Sequence, residues 1–297
     1  LLFTTQHNIR WVTGFASQFW ESPTRPWFLI VPATGKPIAV IPEIGGPRMA
    51  ETWIDDVRTW PAPRPEDDGT YLLISVLQEL TQKFGRIGME LGREHALRMP
   101  VEQFLEVRNK LLGVELVNGS KCIWQIRMVK TDAEVQHIRH ICQIACDGYD
   151  RVPDLVNAGD SEHEAARKLR VEFAILGADS TPFLPAISGP GGVPQIVCGP
   201  GEREIGKGDV LFFDTGCTYD GYWCDFDRNY AVVEISDDAK RAHDAVWRAT
   251  DIGLAAVRPG ATTDDLHRVM ADVLGSSGSC GNNVGRLGHG LGMQLTE

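Results

Sequence analysis

The chain has 297 residues, and its 40 acidic and 29 basic side chains give a formal net charge of −11 at pH 7. Because binding to phosphates requires clustered Lys and Arg, this balance argues against a nucleic-acid partner. With 43% hydrophobic residues the chain can form two cores, yet it has no apolar run of membrane-spanning length, so we expect two domains and no membrane partner.

The seven cysteines include no CxxC pair. An odd number of dispersed cysteines is typical of free thiols in a reducing compartment, and not of a disulfide framework or a thiolate zinc site. We therefore expect a cytoplasmic protein.

Residues 1–120 alternate between strand-like and helix-like segments. Short β-branched and aromatic runs at residues 8–15, 27–32 and 37–42 predict strands that form a hairpin or lie side by side. After an acidic, Pro-rich loop, the pattern predicts in order a helix, a strand, a helix and a strand, at residues 71–84, 86–90, 101–112 and 114–117. This alternation predicts a layered α/β domain.

Four histidines have no evident chemical partner in the sequence. His7 and His95 stand alone, so we expect surface or structural positions for them. His137 and His140 lie three residues apart and could ligate a metal, but no third ligand is near them in the sequence. We interpret this pair as solvated side chains of a helix.

A second domain is predicted over residues 121–297. Near its start, Thr131 and Glu134 have the spacing of a capping box, in which the hydroxyl and the carboxylate satisfy free backbone N–H groups at a helix start. The apolar pattern extends this helix to roughly Asp150.

The second domain also contains a weak internal repeat. Residues 155–161 precede a predicted helix at 162–176, and residues 256–262, which lie 101 positions later, precede another at 263–274. Both segments have the order helix, Gly turn, Ser or Thr cap, helix. This order predicts a duplicated domain with a pseudo-twofold relation between its halves.

Residues 206–233 (GKGDVLFFDTGCTYDGYWCDFDRNYAVV) form a predicted β-hairpin. Asp220-Gly221 supplies the positive φ angles that a tight turn requires. Counting outward from the turn places Asp214 and Asp225 at equal distances, so we expect them to face each other with Cβ atoms roughly 5 Å apart. Asp227 follows Asp225 by two residues and therefore lies on the same face.

Three acids on one face of an apolar hairpin need a counter-charge. A single Asp in a strand is often a solvated side chain or a charge that protects a sheet edge. The apolar run at residues 211–213 is typical of a strand covered on both faces, where carboxylates are costly unless they are protonated or bind a cation. Two metal ions bridged by Asp214 and Asp225 would form a hydrolytic site.

His289 lies within the glycine-rich run GRLGHGLG at residues 285–292. Glycines permit close backbone approach and positive φ angles, which leaves the imidazole free to project. We interpret His289 as a ligand or catalyst, not as a core residue.

Together these motifs resemble the pita-bread metallohydrolase family of methionine aminopeptidase, prolidase, Xaa-Pro aminopeptidase and creatinase. The likeness covers roughly residues 120–297, and residues 4–15 (TTQHNIRWVTGF) resemble the N-terminal domain of the creatinase and prolidase branch. The matching motifs are the helix after residues 127–130, Gly208-Asp209, Asp214-Thr215-Gly216, Gly221-Tyr222 with Asp225, Arg228, Arg258-Pro259-Gly260 and the run 288–292.

The resemblance implies a mixed α/β fold, in which a creatinase-type α/β domain precedes a pita-bread domain that is incomplete at its C-terminus, and it implies a homodimer. It also implies that Asp214, Asp225 and His289 bind two divalent ions of Mn, Co, Zn or Fe, all of which accept carboxylate and imidazole ligands. Two further glutamate ligands would follow the end of the chain, since Glu297 is too close to His289 to be one of them. The chain also starts at Leu1 and not at Met, so we expect it to be truncated at both ends and to bind metal weakly by itself.

The implied activity is hydrolysis of an Xaa-Pro amide bond in a small peptide by a metal-activated water. Asp227 stands where the family usually has Thr or Ser, and would orient the water or join the ligands. Arg228 would pair with these acids from outside the ligand set.

Two departures from the family leave alternatives open. The family has a histidine after a Pro shortly before the hairpin, whereas residues 194–197 are Pro-Gln-Ile-Val, and a second family histidine is replaced by Thr296. Both imidazoles would stabilise charge that develops on the substrate. Their loss is compatible with a creatinase-like C–N hydrolase or a lyase acting on a small zwitterion, and also with an inactive binding module.

Overall fold

The structure is a computed structural model that describes residues 1–22, 25–193, 195–278 and 285–297. Its helices are α1 (Gln6–Thr13), α2 (Gly46–Met49), α3 (Thr70–Thr81), α4 (Val101–Lys110), α5 (Ser120–Arg127), α6 (Asp132–Asp150), α7 (Val152–Leu155), α8 (Glu162–Leu176), α9 (Asp237–Ala256) and α10 (Thr263–Ser276). The strands are β1 (Leu2–Phe3), β2 (Phe28–Ile30), β3 (Ile38–Pro42), β4 (Asp56–Trp60), β5 (Arg86–Met89), β6 (Glu115–Asn118), β7 (Ser180–Phe183), β8 (Ala186–Pro190), β9 (Asp209–Tyr219) and β10 (Tyr222–Ala231). None of the described helices has the length and apolar character needed to cross a membrane.

The described chain forms two compact units, Leu1–Lys130 with Thr296–Glu297, and Thr131–Leu295. The predicted second domain starts at residue 121, whereas the second unit starts at Thr131. Helix α5 lies between these two positions, and its Ile123 packs in a core of the first unit.

The first unit is a six-stranded sheet in the order β4-β3-β2-β1-β5-β6. Alternate residues of each strand point to opposite faces. Leu2 and Phe28 therefore belong to a core shared with α3 and α4, while Phe3 and Leu29 belong to a second core shared with α1 and α5. This arrangement confirms the layered α/β prediction, including the antiparallel pairing of β2 with β3.

One predicted strand of the first unit is wrong. Residues 8–13 of this segment belong to helix α1, which follows extended Thr5 and is capped by Gly14 with φ 73°. The helix buries Asn8, Ile9 and Thr13 on one face. Packing of this face outweighs the strand preference of its β-branched residues.

The two lone histidines of the first unit have structural positions, as expected. His7 is half-buried and lies 3.0 Å from the Thr5 hydroxyl. Loss of water, followed by the positive charge of Arg127, lowers the pKa of His7 to about 3. His95 packs its ring 4.6 Å from the ring of Trp124.

The second unit has a four-stranded sheet in which β9 pairs with β10 on one side and with β7 and β8 on the other. Helices α6 and α8 cover one face of this sheet, and side chains such as Phe173 and Phe213 fill the core between them. Strands β7 and β8 are absent from the sequence prediction because Pro and Gly interrupt their apolar pattern.

The internal repeat is visible in the local structure. Gly159 and Gly260 both have positive φ angles, of 96° and 91°. Two residues later, Ser161 and Thr262 each cap a helix through a capping box. A third capping box forms at Thr131, as predicted.

Candidate metal centre

The hairpin of β9 and β10 turns through two residues. Asp220 and Gly221 have φ angles of 49° and 82°, which confirms the predicted tight turn. The register pairs Asp214 with Asp227, and Gly216 with Asp225. The expectation that Asp214 stands directly opposite Asp225 is therefore wrong, because the count was centred one position before the middle of the turn.

The three acids nevertheless share one face of the sheet. The Asp214 carboxyl lies close enough to Asp225 and Asp227 for both of them to affect its pKa. Loss of water, followed by the charges of Asp227 and Asp225, raises the pKa of Asp214 to about 7. Carboxylates this close need a shared proton or a cation.

Asp227 is exposed, whereas Asp214 and Asp225 are half-buried. Partial loss of water, followed by the charge of Asp225, raises the pKa of its carboxyl. Its backbone position directly opposite Asp214 makes it part of the same electrostatic group.

His289 reaches the same acids from the glycine-rich segment. Its Nε2 lies 2.9 Å from Asp225 Oδ2, and its side chain is 21% exposed. The other ring nitrogen, Nδ1, lies 2.9 Å from the carbonyl oxygen of Gly290. Because a carbonyl only accepts hydrogen bonds, Nδ1 is the donor, and Nε2 is left for a proton or a cation.

Arg228 occupies the opposite face of the hairpin. Its guanidinium lies over the rings of Tyr149 and Phe226, at 5.5 and 5.1 Å from their centroids, and donates to the backbone oxygen of Asp227. None of the ion pairs between described residues joins Arg228 to the three acids. Its positive charge still lowers the pKa of Asp227 as a secondary effect.

Hydrogen bonds of two tyrosines join the hairpin to helix α6, and one of them, Tyr149 of α6, was not singled out in the sequence. Tyr149 donates to Thr215 Oγ1 at 2.7 Å, between the positions of Asp214 and Gly216. Tyr222 donates to the buried carboxylate of Glu134, which also completes the capping box of α6. The capping box was a detectable signal for Glu134, whereas its bond to Tyr222 depends on tertiary structure.

His137 and His140 lie on helix α6 beside the hairpin turn, where His140 is exposed and His137 is half-buried. The His137 ring stacks on Tyr222 at 5.2 Å, and the His140 ring meets the edge of Tyr219 at 4.4 Å. His140 is thus an exposed helix side chain as expected, whereas His137 is partly covered by the hairpin.

Gln195 and Thr296 occupy the two positions where the family has histidines. The Gln195 side chain accepts hydrogen bonds from the backbone N–H groups of Val197 and Cys198, while Pro194 lies outside the described residues. After Thr296, Glu297 pairs with Arg127 and Lys130 in the first unit. Glu297 thus contributes to an ion-pair group of that unit.

The donor chemistry of Asp214, Asp225 and His289 fits a divalent cation, because close carboxylates with an imidazole are ligands that such ions accept. Within the ranges that the structure describes, no group of three or more His, Cys, Asp and Glu side chains is arranged to hold a metal ion. The fit to a cation therefore rests on the donor types and on the contact of His289 with Asp225.

Comparison with known proteins places these residues in a family. The model of metallopeptidase family M24 matches residues 136–297, and that of the creatinase/prolidase N-terminal domain matches residues 1–129. The probable dipeptidase PepE of Mycobacterium tuberculosis (strain ATCC 25618 / H37Rv) is 26% identical over 298 residues, which cover 100% of this chain and 76% of the relative. The Xaa-Pro dipeptidase of Pyrococcus furiosus is 25% identical over 223 residues, which cover 74% of this chain and 62% of the relative.

Solved structures agree with this assignment. The dipeptidase PepE of Mycobacterium ulcerans superposes with a TM-score of 0.82 at 28% identity, covering 100% of this chain and 76% of that one. The prolidase of Thermococcus sibiricus has a TM-score of 0.86 at 24% identity, with 100% and 78% coverage, and shows the shared fold. The chain therefore belongs to metallopeptidase family M24, a family of enzymes with divalent metal cofactors, and has the two-domain creatinase/prolidase architecture.

Proposed function

We propose that this protein is a metal-dependent hydrolase that cleaves the amide bond of Xaa-Pro dipeptides. The observation that supports this most strongly is the convergence of Asp214, Asp225 and Asp227 on one face of a hairpin, with His289 in contact with Asp225. The relatives named dipeptidase and Xaa-Pro dipeptidase supply the substrate class.

Asp214, Asp225 and His289 are the proposed ligands, and we propose two ions of Mn, Co, Zn or Fe. Such cations, when bound, polarise a carbonyl and supply a nucleophile at neutral pH. The carboxylates hold the ions on the open face of the sheet. The hydrogen bond from Nδ1 of His289 to Gly290 fixes the ring orientation so that Nε2 points towards Asp225.

Asp227 is the proposed proton acceptor. It is an exposed carboxyl with a raised pKa beside the proposed ligands, and it stands outside the set that the resemblance assigns to the metals. A carboxylate with a raised pKa is a better proton acceptor, so it can take a proton from the attacking water and return it to the leaving nitrogen. This role would compensate in part for the absent imidazoles.

A related C–N hydrolase acting on a small zwitterion is the second candidate. It is favoured by one observation, the absence of both peptidase imidazoles, since the Gln195 amide is engaged by Val197 and Cys198 and Thr296 takes the other place. Creatine is the matching probe.

Activity assays with defined metals test the proposal. The purified full-length protein, stripped by chelation and reloaded with Mn²⁺, Co²⁺, Zn²⁺ or Fe²⁺, should release proline from Leu-Pro, cleave Leu-Leu far more slowly and leave creatine intact. Asp225→Asn should abolish this release, whereas Asp154→Asn, at a carboxylate 77% exposed on the same unit, should not change it. Turnover of creatine alone would support the second candidate, and turnover of none of the probes would contradict both enzymatic hypotheses.

We further propose a cytoplasmic homodimer. All cysteines within the described residues are free thiols, which suits a reducing compartment, while Cys280 lies outside those residues. Light scattering coupled to size exclusion measures the assembly, and calorimetric titration with Mn²⁺ counts the ions.

A further inference from the structure

Trp223 is a large aromatic side chain on the face that carries the acids. We propose that Trp223, together with Leu295, forms an apolar wall that selects the substrate side chain next to the scissile bond. This inference rests on the proposed function and deepens it, because it assigns a specificity determinant to the same site.

The indole covers the sheet beside the proposed ligand Asp225. A β-carbon on Gly216 would lie 3.1 Å from Cζ3 and 3.2 Å from Cε3 of Trp223. The same β-carbon would lie 3.5 Å from Cδ1 of Leu295. Because Gly216 pairs directly with Asp225, both apolar groups lie at the backbone position opposite that residue.

The backbone of Trp223 is anchored to the segment that carries His289. Its N–H donates to the carbonyl oxygen of Gly292 at 2.9 Å. Gly292 is buried and follows His289 by three residues. The wall is therefore attached to both segments that supply proposed ligands, which limits its movement relative to them.

Core packing does not explain this tryptophan. Its strand neighbours Tyr222 and Cys224 are buried, and Cys224 belongs to the core beneath helices α6 and α8. Trp223 points to the other face and belongs to none of the three hydrophobic clusters of the described residues, and its side chain is half-buried. A partly exposed indole beside polar catalytic groups is a typical lining for an apolar ligand group.

The group that fits this wall is an aliphatic or ring-shaped side chain. In an Xaa-Pro dipeptide it could be the Xaa side chain or the proline ring, and both present the same apolar chemistry. Kinetics with two substrate series distinguish them. One series varies Xaa (Gly-Pro, Ala-Pro, Leu-Pro), and the other varies the second residue (Leu-Gly, Leu-Ala, Leu-Pro).

Trp223→Ala should lower the ratio of kcat/KM for the substrate with the larger apolar group to kcat/KM for the smaller one by about tenfold or more. An effect of this size is typical of the loss of an apolar contact in a specificity pocket. If the wall contacts Xaa, the ratio of Leu-Pro to Gly-Pro decreases, and if it contacts the second residue, the ratio of Leu-Pro to Leu-Ala decreases. Leu295→Ala should change the same ratio in the same direction. Trp223→Phe retains an aromatic ring and should change it less, which keeps the test valid if the alanine variant folds poorly.

Trp247→Ala is the matched control, since Trp247 is 60% exposed on helix α9 and should leave both ratios unchanged. Unchanged ratios in folded Trp223→Ala and Trp223→Phe would overturn the inference.

A binding readout separates this inference from the proposed function. In protein labelled with 5-fluorotryptophan, the resonance of Trp223 is identified by its loss in Trp223→Phe. Leu-Pro should shift this resonance in the metal-loaded protein, and Gly-Gly should not. If no dipeptide is cleaved but the resonance shifts, the proposed function is wrong, and the inference that Trp223 contacts an apolar group of the ligand is supported. Absence of any shift at saturating Leu-Pro overturns the wall.

Discussion

At the level of single residues, Asp214 links pH to metal binding. Its pKa of about 7 exceeds the ordinary value of 3.8, so the folded protein binds this proton more tightly than the unfolded chain does. In metal-free protein, the contribution of Asp214 to the free energy of unfolding therefore decreases as the pH rises from 3.8 to about 7. A divalent cation removes this penalty, because it stabilises the ionised carboxylates.

We accordingly expect Mn²⁺ to raise the melting temperature more at pH 8 than at pH 5, relative to chelated protein. Differential scanning calorimetry at both pH values measures this difference. Asp214→Asn should reduce the metal effect at pH 8 and leave little difference between the two pH values. An equal metal effect at both pH values in the unmodified protein would contradict the assignment of Asp214 as a ligand.

Asp227→Asn tests the two roles of that carboxyl. The substitution removes one of the two negative charges that raise the pKa of Asp214, so this pKa should move from about 7 towards 3.8. Carboxyl ¹³C NMR of metal-free protein measures that shift. If Asp227 also accepts the proton, kcat should decrease by about 10²–10⁴ with a smaller change in KM. A changed pKa with an unchanged kcat would separate the electrostatic role from the catalytic one and contradict the latter.

At the level of elements, the turn of the hairpin determines which acids meet. Gly221 has a φ of 82°, which a side chain adopts at a cost of about 1 kcal/mol. Gly221→Ala should therefore lower the free energy of unfolding of the second unit by about 1 kcal/mol, measured by urea denaturation. Gly199→Ala is the control, because its β-carbon would meet no atom within 4 Å and its φ lies outside the strained range. If both substitutions changed the free energy of unfolding equally, a side chain at residue 221 would not strain the turn.

Elements with local signals were predictable from the sequence, and those that depend on distant contacts were not. The caps at Thr131, Ser161 and Thr262 involve residues three positions apart, and all three form. The register of the hairpin depends on where the turn is centred, so a displacement of one position exchanged Asp225 for Asp227 as the partner of Asp214. The contact of Trp223 with Gly216 had no sequence signal, because a glycine in a strand does not reveal which side chain crosses it.

At the level of the whole molecule, the described residues form two compact units, each with its own hydrophobic core or cores. The proposed ligands belong to the second unit. The first unit contains Glu90, a carboxylate only 1% exposed that accepts hydrogen bonds from the backbone and hydroxyl of Thr4. The amide of Asn8 donates to the same carboxylate, and Asn8 in turn accepts from buried Arg127. This network links α1 and α5 to the residues that directly follow β1 and β5 inside one unit.

Glu90→Gln should destabilise the first unit without changing metal binding by the second. The amide of Gln can accept at one atom only, so it leaves donors of the network poorly satisfied, at a cost of about 2 kcal/mol. Calorimetry should show a lower unfolding temperature for the transition of the first unit, while the increment that Mn²⁺ adds to the transition of the second unit stays the same. Glu115→Gln is the control, because that carboxylate on the same sheet is 59% exposed and its pair with Arg86 contributes little. A contrary result would be a decrease in the Mn²⁺-induced rise of the second transition temperature as large as the decrease in the first transition temperature. The unfolding of the two units would then be coupled, and the stability of the metal centre would depend on the buried network of the N-terminal sheet.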